Sequence, residues 1–313
     1  MKALVCITTC RRINEVKKNI IPFLRFVNSN SSYDFLLALD GTEKEYLEFC
    51  QKFNIPLLYS KAREGVGLSK NRVLKRFPDY NYYFFIEDDV EIINTIIFDS
   101  HINISLSEKL PHLTCATIIQ KRVVDKKKIK NEIITKATSA GAYFNFFTKA
   151  GLEMVGGWHT LFAKYRRFGH TEHSLRFFHL KLIPAPFIVT ESLRKHLILN
   201  NPPHVTSLNI DQNENELIPE EQAMIDAKQS YFPLTTLSAF YFNGFDVSIP
   251  DLHPDLQKGR YALLKGRDKI KAWGNFYFHK FKASGNPFYL IIALFLYPTN
   301  NLLKHWVKQV IKV

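Results

Sequence analysis

Tyr82-Tyr83-Phe84-Phe85-Ile86-Glu87-Asp88-Asp89-Val90-Glu91 is an apolar run that empties into three consecutive carboxylates. A short, aromatic-rich apolar run of this length reads as a buried strand. Three neighbouring acids repel one another, so holding them at a strand end is costly unless a divalent cation or a positive side chain offsets the repulsion. The same cluster also fits a solvated acidic turn, or acids paired with Lys or Arg. The flanking sequence decides between these readings.

Immediately upstream, Gly65-Val66-Gly67-Leu68-Ser69-Lys70-Asn71-Arg72 opens a helix that runs to about Phe77, where Pro78 stops it. Before it lies a second apolar run, Phe35 to Leu39, closed by the turn signature Asp40-Gly41-Thr42. Glu43 to Phe53 reads as a helix and Ile55 to Tyr59 as a strand. The chain begins with a strand, Ala3 to Ile7, followed by Thr8, Arg11 and Arg12. From Asn14 to Asn28, Val16, Ile20, Phe23, Leu24 and Val27 recur at helical spacing. Strand, helix, strand, helix, strand with polar residues at the strand ends predicts a doubly wound parallel sheet. In such sheets ligands sit at the carboxyl ends of the strands, so Asp40 and Glu87 to Asp89 converge on one crevice.

Composition narrows the partners. The chain has 313 residues, 46% hydrophobic and 14% aromatic, which suits a thick globular core rather than a disordered segment. Lys plus Arg exceed Asp plus Glu by 42 − 29 = 13, so anionic partners are expected: nucleotides, phosphorylated lipids, membrane surfaces or nucleic acid. Cys6, Cys10, Cys50 and Cys115 lack zinc-site spacing and read as reduced thiols of a cytoplasmic protein. The first apolar run is too short for a signal-peptide core, and no stretch reaches the roughly 18 apolar residues of a spanning helix. No internal repeat is visible.

Farther along, the charge run Asp125-Lys126-Lys127-Lys128 reads as a solvated hairpin or loop tip. Thr138 to Phe144 leads from small residues into an apolar strand. Gly151 to Gly157 leads to Trp158 and a segment rich in His, Arg and aromatics. Asn200 to Asn215, with Pro202-Pro203, reads as a loop leaving the core.

Four pieces in this order resemble a family 2 type glycosyltransferase of the GT-A fold: Leu39-Asp40-Gly41-Thr42, Gly65 to Arg72, Phe84-Phe85-Ile86-Glu87-Asp88-Asp89, and Gly156-Gly157-Trp158 with Phe162 and Gly169 to Arg176. The likeness covers about residues 1 to 200. It implies a Rossmann-like, mostly parallel sheet flanked by helices, and transfer of a sugar from a nucleoside diphosphate, most simply a UDP-sugar. A Mn²⁺ or Mg²⁺ ion would absorb the charge developing on the leaving diphosphate. By match to the family's Asp-x-Asp pattern, Glu87 and Asp89 are the metal positions, with Glu where Asp is more usual, and Asp88 lies nearer the ribose. The resemblance also puts Thr8, Asp40, Asn71 and Arg72 around the donor, and Gly157 and Trp158 at the acceptor, where an aromatic face suits a pyranose. His196 and His204 are in range as a third metal ligand.

One departure stands out. Where inverting members carry a Glu-Asp pair at the start of the acceptor helix, this chain reads Gly169-His170-Thr171-Glu172-His173. His170 falls at the place of the catalytic Asp, and Glu172, two residues on, is the other candidate base.

The last part of the chain is basic and aromatic, with Lys258, Arg260, Lys265, Arg267, Lys269 and Lys271 alternating with Tyr261, Leu263, Leu264 and Trp273. Leu302, Leu303, Trp306, Val307, Val310 and Ile311 share one helical face. Such a cationic amphipathic end suits an anionic membrane, where lipid-linked acceptors reside, or packing on the catalytic domain or a second subunit.

The resulting expectation is a transferase domain over 1–205, its nucleotide-binding half about 1–113 and its acceptor half about 114–205. A connecting loop over 206–254 and a basic amphipathic helical extension over 255–313 follow. The resemblance implies a metal-dependent, inverting sugar transfer to a glycan or lipid-linked glycan of surface polysaccharide or lipopolysaccharide, in the cytoplasm at the inner face of the membrane, with no nucleic acid partner. Two rivals remain. One is a non-catalytic basic protein binding membranes or nucleic acid on a degenerate transferase core. The other is a sugar-nucleotide pyrophosphorylase, which wants a glycine-rich loop after the first strand, whereas Thr8-Thr9-Cys10-Arg11-Arg12 has no glycine.

Overall fold

The computed structural model describes residues 1–116, 122–129, 131–141, 143–158, 169–200 and 287–288. Phe162, His204, the connecting region 206–254 and all of the basic extension except Pro287 and Phe288 lie outside them.

The first half alternates strand and helix: β1 (Ala3–Thr9), α1 (Ile13–Ser29), β2 (Tyr33–Leu39), α2 (Lys44–Phe53), β3 (Leu57–Tyr59), α3 (Val66–Arg76) and β4 (Tyr82–Glu87). Every residue of β1 and β2 is buried, and so is β4 up to Ile86. Helices cover both faces, so these strands show continuous apolar runs instead of alternation. α1 turns Val16, Ile20, Phe23, Leu24 and Val27 inward. Asn54, with φ 51°, ends α2 in the left-handed conformation that Asn tolerates.

The second half contains β5 (Val90–Ile92), α4 (Ile96–Glu108), β6 (His112–Thr114), β7 (Val123–Ile129), β8 (Glu132–Ala137), β9 (Phe144–Thr148), α5 (Lys149–Val155), α6 (Gly169–His179) and β10 (Phe187–Thr190). A 3₁₀ turn, Glu191–His196, and β11 (Leu197–Leu199) follow.

A nine-stranded sheet has the order β3-β2-β1-β4-β9-β6-β10-β8-β7. Among these, only β9 and β8 run against the rest. The fold is therefore α/β with a mostly parallel, Rossmann-like sheet, as the sequence predicts. The chain steps outward from β1 to β2 and β3, then returns to place β4 on the other side of β1. That reversal between β1 and β4 is a topological switch point, where a crevice opens at the carboxyl ends of the strands. The core beneath it is aromatic: Phe84 meets Phe98, Phe146 and Phe144 at ring-centroid distances of 5.0, 5.1 and 5.9 Å.

Of the two readings of the Asp125–Lys128 run, the solvated hairpin holds and the loop tip does not: the run is the body of β7, an exposed edge strand paired antiparallel with β8. Lysines on an edge strand deter pairing with another chain, so the run stays polar without leaving the sheet.

β11 pairs antiparallel with β5, Leu199 opposite Val90 and Leu197 opposite Ile92, and the Asn200 amide donates to the Asp89 carbonyl at 2.8 Å. His196 follows at the far end of this ladder, its carbonyl accepting the Ile93 amide at 2.8 Å. Among the described residues it does not gather with the acids into a group of three or more possible metal ligands.

Candidate functional site

At the switch point, Thr8, Thr9, Cys10, Arg12, Asp40, Val66, Ser69, Glu87, Asp88 and Asp89 line a crevice of about 250 Å³. The loop after β1 and the turn after β4 face each other across it, because β1 and β4 are parallel neighbours in register, Thr8 opposite Glu87.

Its centre is a guanidinium shared by two carboxylates. Arg12 Nη1 donates to Asp88 Oδ1 at 3.1 Å and to Asp89 Oδ2 at 3.3 Å. Asp88 Oδ2 accepts from Thr9 Oγ1 at 2.8 Å, and Thr9 Oγ1 also bonds the Tyr46 hydroxyl at 2.6 Å. That hydroxyl accepts the Arg12 amide at 3.0 Å, which fixes the loop carrying the arginine. Asn19 Nδ2 donates to the Asp88 carbonyl at 2.9 Å. Burial pushes the Asp88 carboxyl up to about 6, against the opposing pull of Thr9 and Arg12. Asp89 is also raised by burial and pulled back by Arg12, and its Oδ1 is a buried acceptor without a hydrogen-bond partner.

Glu87 is set apart from this pair. Burial raises its carboxyl, and the strongest opposing charge is Lys70, a buried lysine on α3 that burial lowers in turn. Lys70 Nζ lies over the Trp158 and Phe85 rings at 5.1 and 5.9 Å. The expected metal triad of Glu87, Asp89 and a histidine therefore does not assemble among the described residues, and no group of three or more His, Cys, Asp or Glu side chains there comes together as a metal cluster. His204 lies outside those residues. What is present is two carboxylates, Asp88 and Asp89, with one open oxygen. An all-oxygen pair of this kind fits a hard divalent ion of the sort held by one or two carboxylates plus substrate phosphates. Arg12 now stands across the same pair.

The other predicted donor residues divide. Thr8 lines the crevice and donates to the Ile86 carbonyl at 3.4 Å. Asp40 lines it too, but its carboxylate clasps the loop before α3: Oδ1 accepts the Glu64 and Gly65 amides at 2.7 and 3.0 Å, and Oδ2 accepts Gly65 again at 3.0 Å. Arg72 is buried and paired with Glu64, under the field of Asp40. Asn71 is fully buried and not on the crevice wall. Its Nδ2 donates to the Trp158 carbonyl and its Oδ1 accepts the Trp158 amide, both at 2.7 Å. Asn71 is thereby a bracket for the acceptor-side turn.

The acceptor-side expectations change most. Trp158 is 3% exposed and packs edge-on against Phe85 and Phe147 and face-on against His173, at 4.3 Å from the last. It is core, with no face open to a sugar. Gly157 allows the turn to pass Asn71: a Cβ there would lie 2.4 Å from Asn71 Oδ1. Glu172 has 0% exposure and pairs with Arg176 at 2.8 Å. Arg176 also donates to the Val155 carbonyl at 3.0 Å and the Gly157 carbonyl at 2.7 Å. A carboxylate enclosed in this way ties α6 to the glycine turn and has no route to a substrate hydroxyl. His170 keeps partial exposure and meets the Thr171 hydroxyl at 3.2 Å. Burial, helped by the charge of Lys70, lowers its imidazole to about 4.

Thr9 and Arg12 were not singled out by the sequence reading. The available signal was topological: at a switch point, the loop after β1 faces the strand that carries the acids.

No family model and no curated protein matches this chain. Among solved structures, the chain resembles TarS of S. aureus at 12% identity, over 56% of this chain and 33% of that one, with a TM-score of 0.43. It resembles a mannosyltransferase from Pyrobaculum calidifontis, in complex with GDP-Man and Mn²⁺, at 10% identity over 56% of this chain and 52% of that one, with a TM-score of 0.43. Residues 1–349 of TarS in complex with UDP-GlcNAc match at 13% identity over 88% of this chain and 81% of that one, with a TM-score of 0.45. The chain thus spans a third of the first of these proteins and about half of the second.

Proposed function

We propose that this protein transfers a sugar from a nucleoside-diphosphate donor to a glycan or lipid-linked acceptor. The observation that carries the reading is the crevice at the β1/β4 switch point, where a partly exposed arginine and two buried carboxylates, one with an open oxygen, face the same space. A diphosphate is anionic, and it matches both a guanidinium and a cation held between itself and two carboxylates. The volume of about 250 Å³ suits the charged centre of such a donor rather than the whole of it. The motif resemblance of the sequence supplies the sugar. UDP- and GDP-sugars are the donors to try first, since two of the three solved structures named above are complexes with GDP-Man or UDP-GlcNAc.

A divalent ion, when bound, would screen the charge of the leaving diphosphate. Asp88 and Asp89 would hold it, Thr9 and Tyr46 keep Asp88 in place, and Asp40 fixes the loop that opens α3. The enclosure of Glu172 favours His170, half-buried on the same helix, as the base. A second reading, a nucleotide-binding protein without turnover, draws on the same enclosure of Glu172.

Titration calorimetry with UDP and GDP, with and without Mn²⁺, tests the proposal, together with release of nucleoside diphosphate from a panel of UDP- and GDP-sugars. Expected are nucleotide binding weakened about tenfold by Asp89→Asn, one charge-assisted contact's worth, and turnover with at least one donor. Binding without any turnover supports the second reading. No affinity for either nucleotide in the presence of Mn²⁺ rejects both.

A further inference from the structure

We propose that Arg12 is an exchangeable counter-cation, which holds Asp88 and Asp89 together in the free protein and passes to the donor diphosphate when it arrives, releasing the two carboxylates for the divalent ion. The inference rests on the nucleoside-diphosphate reading of the crevice and adds an order of binding to it.

The geometry carries it in three steps. First, both carboxylate contacts of Arg12 come from the single nitrogen Nη1, at 3.1 and 3.3 Å, so the guanidinium is held by one corner and not as a two-nitrogen fork. A fork is the stronger arrangement, and a phosphate offers it. Second, the carboxylates reached by Nη1 are the pair a hard ion would use, so guanidinium and metal compete for one place. Two carboxylates alone are an incomplete set for Mg²⁺ or Mn²⁺, whose remaining ligands are substrate phosphates and water. Third, Asp89 is 5% exposed and its Oδ1 has no hydrogen-bond partner. A buried acceptor is rarely left unpaired without a functional reason. Arg12 reaches only Oδ2, so Oδ1 is the acceptor left for an incoming cation at the crevice.

The other cation near the cluster cannot perform this exchange. Lys70 is 3% exposed and packed between Trp158 and Phe85, whereas the Arg12 side chain retains 19% exposure at the crevice wall.

The test measures Mn²⁺ binding by the loss of the free-ion electron paramagnetic resonance signal, on the full chain, alone and with UDP. The wild type is expected to bind Mn²⁺ weakly on its own and at least about tenfold more tightly with UDP. Arg12→Ala and Arg12→Gln are expected to bind Mn²⁺ alone at least about tenfold more tightly than the wild type, because two adjacent carboxylates are freed, and UDP is expected to add less. Arg12→Lys, with a charge but no fork, falls between. Mn²⁺ should also raise the melting temperature of Arg12→Ala more than that of the wild type, by preferential binding to the folded form. A variant that misfolds would lose metal affinity, so a gain cannot come from damage to the fold. Equal Mn²⁺ affinity of wild type and Arg12→Ala overturns the competition, whatever UDP does. Absence of UDP and GDP binding to the wild type overturns the transferase reading and the handover with it, while the Mn²⁺-alone comparison still decides the competition.

Discussion

Replacing Glu172 separates a structural carboxylate from a catalytic one. Glu172 and Arg176 are both 0% exposed and 2.8 Å apart, and Arg176 also donates to the carbonyls of Val155 and Gly157. Glu172→Ala leaves a buried guanidinium with only neutral acceptors. Breaking a buried pair in this way costs about 3–5 kcal/mol. For a folded body of about 150–250 residues, each kcal/mol moves the melting temperature by about 2–4 °C, so a fall of about 6–20 °C is expected. Glu172→Gln keeps an acceptor oxygen and costs less, about 1–3 kcal/mol. Glu172→Met combined with Arg176→Met removes both charges at once and should recover most of the loss, since apolar replacement of a whole buried pair is often neutral.

Urea unfolding followed by circular dichroism gives the stabilities, and nucleotide release gives turnover at a temperature where each variant is folded. The structural reading expects stability to fall and turnover of the folded fraction to change little. A Glu172→Gln protein with an unchanged unfolding midpoint and turnover down by about 100-fold, the scale of a lost general base, would refute it and return Glu172 to the chemistry.

Two further outcomes follow from the buried groups. As pH falls from 6.5 towards 4, His101 and His112, whose enclosed rings sit at about 4, take up protons in the unfolded chain before the folded one, so acid costs on the order of 3 kcal/mol of stability for each. Asp88, pushed up to about 6, and Glu87 and Asp89, also raised by burial, gain stability by protonation and oppose this loss, so the rings are read by difference: a His101→Asn variant, with no ring to titrate, should lose less stability than the wild type between pH 6.5 and 4, and equal losses refute this. Gly157→Ala places a methyl 2.4 Å from Asn71 Oδ1, the atom that accepts the Trp158 amide, so exchange of that amide with solvent should speed up by more than tenfold; unchanged protection would show that the turn does not depend on the bracket.

The nucleotide-binding half was legible because its strands are covered on both faces. β1, β2 and β4 need apolar residues at every position, and runs such as Phe35 to Leu39 say so without ambiguity. α4 was not legible. Ile96, Ile97, Phe98, Ile102 and Ile104 surround the helix with apolar residues, and His101 is buried among them, so no single stripe marks the period. The acceptor side, and Asn71 on the donor side, misled for a different reason. Asn71, Trp158 and Glu172 are residue types that carry chemistry when they face a cleft and lock turns when buried, and burial is a tertiary property. The contact that matters most, Arg12 with Asp88 and Asp89, joins loops 76 and 77 residues apart. Only the strand order brings them together.

That order also explains how three carboxylates can sit side by side. Glu87 is compensated by Lys70 from α3, and Asp88 and Asp89 by Arg12 from the loop after β1. The two cations differ in kind. An ammonium sealed beneath an indole and a phenyl ring is a fixed counter-ion, and removing it would strand a buried carboxylate and destabilise the strand end. A guanidinium held by one nitrogen at the edge of a crevice is a movable one, because water or phosphate can replace the contacts it gives up. Glu87 is therefore bound to the fold, and Asp88 with Asp89 is available for exchange. The resemblance pairs Glu87 with Asp89, whereas the cation that stands at the crevice edge pairs Asp88 with Asp89, and the handover proposed above is built on that second pair.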